Sequence, residues 1–418
     1  MEDLWKNSAR LLSANVLTQA IGILIYPVLT RMYAPDDFGL FNLFLSIGGV
    51  LALLSTAEYQ YAIVLPKKED RARALFQVGG MVLLAVTALT VLTIPFARPL
   101  ASLFNASALA QWYWLLPFYV FAMGLWTLLN YYYIRGKMFR RVSRFQVVQS
   151  SLAAGAKTGL GVAGCTGGGL IVGSVVAFGA AVVVNVCAAG KKVLGGLLQV
   201  DRHACREAAR EYANFPKFSL PRALVNNLGG NLPALLLTPF FGLSEAGFFG
   251  MAVSLGFRPL NMISTSLYQT FYQQTATAVN GGRSVWSLLR KFVCGTLSIA
   301  VPVFVGLYFV LPALMEWLLG SEWVTVAQCL RWMMPWLLMS LLVAPICYLS
   351  DVFGKQKIGL LFEVVLLVAR VVGIAVGIAA QDFVWAVAGY SLGGAVVIGC
   401  QLVWLLSLAK DYERSISR

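Results

Sequence analysis

Lys157, Arg258 and Arg370 are cations set inside runs of apolar residues. In GLLFEVVLLVARVVGIAVGI, residues 359–378, the only charges are Glu363 and Arg370, seven positions apart. Ionisable side chains within a membrane-spanning helix are rare, and they face a cavity, a partner or an ion path. At the helical rise per residue, Lys157 and Arg370 lie about 18 Å in from one end of their runs, and Arg258 about 18 Å in from the opposite side. In a hydrocarbon core roughly 30 Å thick, all three approach the midplane. Three cations at one depth, from both halves of the chain, read as the lining of one central cavity. The competing reading pairs them with acids, for which Glu58, Asp351 and Glu363 are at hand. The runs hold too few acids at that depth to neutralise all three. Glu363 and Arg370 share a helix face but differ by about 10 Å in height, so each addresses something other than the other.

The elements that must hold these residues follow from composition. The chain has 418 residues, 59% hydrophobic and 12% charged, with a mean hydropathy of +0.75. Soluble domains are about 45–50% apolar and about 25% charged, so this is a polytopic membrane protein. Twelve runs reach the length of a membrane helix: 9–30, 38–62, 74–96, 112–134, 145–165, 168–189, 218–241, 246–274, 291–315, 324–349, 357–379 and 383–408. The fold class expected is all-α, with about 12 transmembrane helices in two pseudo-symmetric six-helix lobes around a central cationic cavity. Lys and Arg collect in alternate connections, among them Lys67, Lys68, Arg71, Arg73, Arg135, Lys137, Arg140, Arg141 and Arg144. Opposite connections hold Arg31 and Arg98 with several acids. That alternation puts both termini in the cytoplasm and makes the number of spans even.

The same bias explains the net charge of +14 without nucleic acid. Seven Cys are scattered without a CxxC, and the only His, His203, sits in a polar linker, which argues against a disulfide framework and against a metal site. The opening MEDLWKNSAR lacks the features of a cleavable signal. The polar segment 190–217 suits a helix at the cytoplasmic interface. It divides the chain into an N-terminal lobe, 1–189, and a C-terminal lobe, 218–418.

The halves echo one another. With one gap, Arg10, Asn15 and Pro27 match Arg222, Asn227 and Pro239, at spacings of five and twelve in both copies. Asp37, Gly39, Phe41 and Ser46 then match Glu245, Gly247, Phe249 and Ser254. An even number of spans per half makes the repeat parallel, about an axis along the membrane normal.

PVLTRMYAPDDFGLFNLFLSI with EYQYAIVLP, and NFPKFSLPRALVNNLGGNLPALLLTPFFGLSEAGFFGMAVSLGFRPLNMI, are the segments that carry a family likeness. They resemble the starts of the two halves of bacterial polysaccharide-biosynthesis flippases, in the multidrug/oligosaccharidyl-lipid/polysaccharide exporter superfamily. The resemblance implies a V-shaped pair of six-helix lobes and alternating access. It also implies a polyprenyl-diphosphate-linked glycan carried from the cytoplasmic to the periplasmic leaflet of the bacterial inner membrane, beside membrane lipids and glycan polymerase or biosynthesis proteins. A monomer suffices, because the two lobes already enclose a path.

Given that substrate, Lys157, Arg258 and Arg370 suit the diphosphate, Arg through its planar fork and Lys as a point charge. Arg10 and Arg222 would receive the headgroup at matching entrances, and Arg31 stands near the exit. Glu58, Glu363 and Asp351 are read as gating or ion-coupling acids, with protons or sodium as the coupling ion and no cofactor. Tyr59, Asn227, Asn231, Tyr268 and Gln269 supply the aromatic faces and amides that sugars need. The pairs Gly169/Gly173 and Gly373/Gly377 read as close helix packing. A glycan polymerase or transferase would need acids or bases in a sizeable polar loop, and the outer loops are short. No Walker motif is present. Drug efflux within the same superfamily is the nearest rival, but organic cations favour acidic cavities and these runs are net basic.

Overall fold

The computed structural model describes residues 2–189, 201–280 and 284–416, all in helices, turns and connections. An apolar run in lipid must satisfy its backbone internally, and the helix does so within one segment. Every one of the twelve runs becomes a helix. They are α1 (Glu2–Leu24), α2 (Pro35–Thr56), α3 (Glu69–Leu92), α4 (Leu116–Arg135), α5 (Phe139–Val162) and α6 (Gly169–Ala189). After a short polar helix, α7 (Arg202–Glu211), follow α8 (Leu220–Phe241), α9 (Leu243–Asn280), α10 (Trp286–Leu319), α11 (Val324–Val343), α12 (Gln356–Ala380) and α13 (Phe383–Ile416). Among the described residues, eight helices are long and apolar enough to cross a membrane. The four runs outside that set form α1, α5, α8 and α9, which carry Arg10, Lys157, Arg222 with Asn227 and Asn231, and Arg258 with Tyr268. The least apolar helices are thus the ones that hold most of the residues singled out by chemistry.

Local signals set the ends. Pro35 opens α2, and the Asp37 carboxylate accepts the Ala34 N–H at 3.0 Å. The expected run 38–62 is cut short, because Ala57 and Glu58 take φ of 45° and 64°, conformations that no right-handed helix continues through. A four-residue helix, Tyr59–Ala62, follows. Asp201 caps α7 by accepting the N–H groups of His203 and Ala204 at 2.9 and 3.3 Å. Of the expected linker 190–217, residues 190–200 lie outside the described set. α7 packs on α3 with Cys205 and Ala208 buried, Arg71 pairs with Glu207 at 2.7 Å, and the Tyr59 hydroxyl donates to the Ala209 carbonyl at 3.2 Å.

The chain divides into two compact units, Met1–Gly247 and Phe248–Arg418. In the first, α5 lies against α1 and α6, α4 against α2 and α3, and α8 against α2. Its beginning and end meet in a reciprocal contact. A Cβ on Gly39 would collide with the Leu243 carbonyl, and one on Gly247 with the Pro35 carbonyl. The Ser244 hydroxyl donates to the Asp36 carboxylate, and the two are 208 residues apart. Leu243 and Gly247 follow Pro35 and Gly39 by the same interval. Residue i meets j, and the copy of j meets the copy of i, which is the signature of a local two-fold. This is the alignment of Asp37 with Glu245 and Gly39 with Gly247, now seen in space. In the second unit, α13 packs against α11 and α12, and α10 against α11. Gly373 faces Gly389 and Gly377 faces Ala386 so closely that a Cβ on either glycine would overlap backbone.

Candidate functional site

The cation with the best-defined surroundings is Arg370, on α12 in the second unit. Its guanidinium lies 4.7 Å from the Trp336 ring of α11 and 4.9 Å from the Tyr390 ring of α13. Trp336 and Tyr390 meet edge to face at 5.3 Å, Phe257 packs on Trp336 at 4.4 Å, and Phe249 on Tyr390 at 5.5 Å. Gly394 of α13 packs against the guanidinium, where a Cβ would stand at ordinary contact distance, 3.5 Å from Nε. That Nε is buried and has no hydrogen-bond partner among the described residues. No described carboxylate forms an ion pair with Arg370, Glu363 included. Aromatic faces stabilise a desolvated cation by about 2 kcal/mol or more, without consuming its hydrogen-bond donors. Arg258 is half-buried on α9, next to Phe257. Tyr268 packs edge to face on Tyr348 at 5.5 Å, and the Tyr348 and Thr275 hydroxyls share a 2.7 Å hydrogen bond.

In the first unit, Lys157 stands where α2, α5 and α6 converge. Its ammonium lies 4.3 Å from the Phe41 ring, and its carbonyl accepts the Tyr33 hydroxyl at 2.8 Å. Gly173 permits this approach, because a Cβ there would be 3.0 Å from the Lys157 backbone. On α8, Asn231 donates to the carbonyl and the side-chain oxygen of Asn227, each at 2.9 Å, and it faces Gly49 of α2. Arg31 and Arg222 are exposed.

Glu58 lies past the end of α2, about 25 Å along that helix from the level of Lys157. It is 3% exposed, and Gln60 donates to its carboxylate at 3.2 Å. No described Lys or Arg forms an ion pair with it. Burial pushes its carboxyl above the usual range, and the Gln60 hydrogen bond opposes that in part. Tyr59 is buried beside it and is spoken for by Ala209. The side chains of Arg10, Gln269 and Asp351 lie outside the described set.

Sequence reading found the cations and missed what lies under them. Phe41, Trp336 and Tyr390 come from other helices, and only the tertiary approach makes them neighbours of Lys157 and Arg370. The traceable signal is small: the glycine at 173, which leaves space beside Lys157.

A family model described as polysaccharide biosynthesis protein matches residues 28–328. Among solved structures, the chain is similar to one described as lipid II flippase MurJ in an inward closed conformation, at a TM-score of 0.73 and 11% identity, over 98% of this chain and 91% of that one. It is similar to an inward-facing multidrug resistance MATE family transporter of the MOP superfamily, at a TM-score of 0.69 and 11% identity, over 96% of both. The Vibrio cholerae MATE transporter VcmN follows at 0.53 and 13% identity, over 100% of this chain and 97% of that one. No curated protein matches. At these identities the structures establish a shared fold. A family model spanning most of the chain establishes more: this protein belongs to the polysaccharide biosynthesis protein family.

Proposed function

We propose that the protein is a flippase that moves a polyprenyl-diphosphate-linked oligosaccharide from the cytoplasmic to the periplasmic leaflet by alternating access, for surface polysaccharide assembly. It would lie in the bacterial inner membrane with both termini cytoplasmic, its two six-helix lobes being 1–189 and 218–418. The diphosphate is bound by Arg370, Arg258 and Lys157, with Arg222 and Arg10 at the entrance and Arg31 toward the exit. Asn227, Asn231, Tyr268, Gln269 and Tyr59 are the proposed sugar contacts. Glu58, Glu363 and Asp351 are the proposed gating or coupling acids, working with protons or sodium.

The observation that carries this reading is the state of Arg370. A guanidinium held by two aromatic faces, with a buried N–H unmet among the described residues and no described acid in an ion pair with it, keeps its charge for an incoming anion. An organic-cation exporter would have no use for that arrangement. The test is flipping of a fluorescent short-chain polyprenyl-diphosphate disaccharide in proteoliposomes, read as the fraction protected from an external quencher. Protein-containing vesicles are expected to equilibrate the lipid much faster than protein-free ones. Equal rates, or transport of an organic cation in its place, would overturn the proposal.

A further inference from the structure

A pocket of about 510 Å³ opens between the start of α5 and the end of α6, within the roughly 300–1,000 Å³ range of small-molecule sites. Arg140, Arg141, Arg144 and Asn185 line it over an apolar floor of Phe145, Val148, Ala181, Val184 and Ala188, with Met138 at the side and no acid. We propose that this pocket binds the phosphodiester headgroup of an anionic membrane phospholipid, at a place separate from the transport path.

An unmet polar atom points to a ligand. Asn185 is 6% exposed. Its Nδ2 donates to the Arg141 carbonyl at 3.4 Å, while its Oδ1 is buried and unmet among the described residues. Arg141 lies 5.3 Å from the Tyr133 ring and interacts with its hydroxyl, which leaves the other donors of its guanidinium for an anion. A phosphate oxygen satisfies the guanidinium, and a headgroup hydroxyl satisfies the amide oxygen. Arg140 and Arg144 are exposed, one turn apart on the same helix, and form no ion pair with a described carboxylate. They complete a phosphate clamp at the rim. Basic pockets between membrane helices on the cytoplasmic side are the usual sites for anionic headgroups. That this end faces the cytoplasm is the one point taken from the proposed function.

The geometry separates the pocket from Lys157. At about 100° per residue, Arg141, Arg144 and Val148 lie on the side of α5 away from Lys157 and from Ser150, whose hydroxyl donates to the Thr18 carbonyl of α1. The pocket therefore lies on the face of α5 opposite Lys157.

The full-length protein in detergent, titrated with spin-labelled phosphatidylglycerol, tests the assignment. Saturable binding is expected, with phosphatidylcholine showing none, and at least tenfold weaker affinity in the double variant Arg140→Gln, Arg144→Gln and in Asn185→Asp. Arg370→Met is expected to bind phosphatidylglycerol as the wild type does. Equal binding of the two lipids, or unchanged affinity in both pocket variants, overturns the proposal. Displacement by equimolar inorganic phosphate overturns it in favour of a free-anion site. Displacement by equimolar farnesyl diphosphate overturns it in favour of a substrate site. Lost lipid binding with intact flipping sinks only this assignment, and intact lipid binding with no flipping sinks only the transport reading.

Discussion

Arg370 joins what the sequence declares to what only the fold supplies. A cation inside an apolar run is visible in the string of residues, because no local pattern excuses it. Trp336 and Tyr390 were not legible, since their relation to Arg370 exists only once α11, α12 and α13 are packed. A buried cation in no ion pair with a described acid costs stability that its aromatic neighbours only partly offset. Arg370→Met is therefore expected to leave the thermal midpoint equal to or above that of the wild type, while flipping falls by more than tenfold. A midpoint several degrees lower would mean that the guanidinium is a structural strut. Glu58 makes a second claim at this scale. Its native carboxyl titrates above the ordinary 4.5, so the native state holds its proton more tightly than the unfolded chain does. The stability this confers is complete below the unfolded value and is lost as pH rises through the raised native one. Thermal midpoints across that window are expected to fall for wild type relative to Glu58→Gln. Parallel curves would remove Glu58 as a proton-holding group.

At the scale of elements, eight of the helices were legible because length and hydropathy decide them, and helix ends were legible only where a cap or proline marks them. The end of α2 was missed. Ala and Glu do not advertise positive φ, so the break at Ala57 and Glu58 comes from tertiary demand and not from propensity. The repeat was legible as spacing, and the reciprocal contact of Gly39 and Gly247 gives it a physical reason: neither position has room for a side chain. Gly39→Val and Gly247→Val are each expected to destabilise the protein by about 1–3 kcal/mol. Gly155→Ala on α5, where a Cβ meets nothing within 4 Å, is expected to cost nothing. Chemical or thermal unfolding of the three variants checks this, and equal stability for all three would deny the close contact. α7 offers a milder test. Burial, and then Asp201, raise the Cys205 thiol. Alkylation of Cys205 is expected only after unfolding, read by mass spectrometry with and without denaturant. Rapid native labelling would show that α7 is not seated on α3.

For the whole molecule, composition and the alternation of basic connections carried most of the reading: a polytopic helical protein with an even number of spans. The family assignment and the shared fold agree with a polytopic helical protein. The headgroup pocket was not legible. Arg140, Arg141 and Arg144 read as ordinary positive-inside residues, and only the approach of Asn185 from α6 turns them into a site. Reporter fusions at the two ends are expected to place both in the cytoplasm. A periplasmic signal from either would break the orientation on which the substrate path and the headgroup pocket both depend.

The measurement closest to the central claim is equilibrium binding of a short-chain polyprenyl-diphosphate glycan to the purified protein, wild type against Arg370→Met. The affinity is expected to fall at least tenfold in the variant, and a glycan lacking the diphosphate is expected to bind neither form. Equal affinity in the two proteins, or binding that ignores the diphosphate, would contradict it.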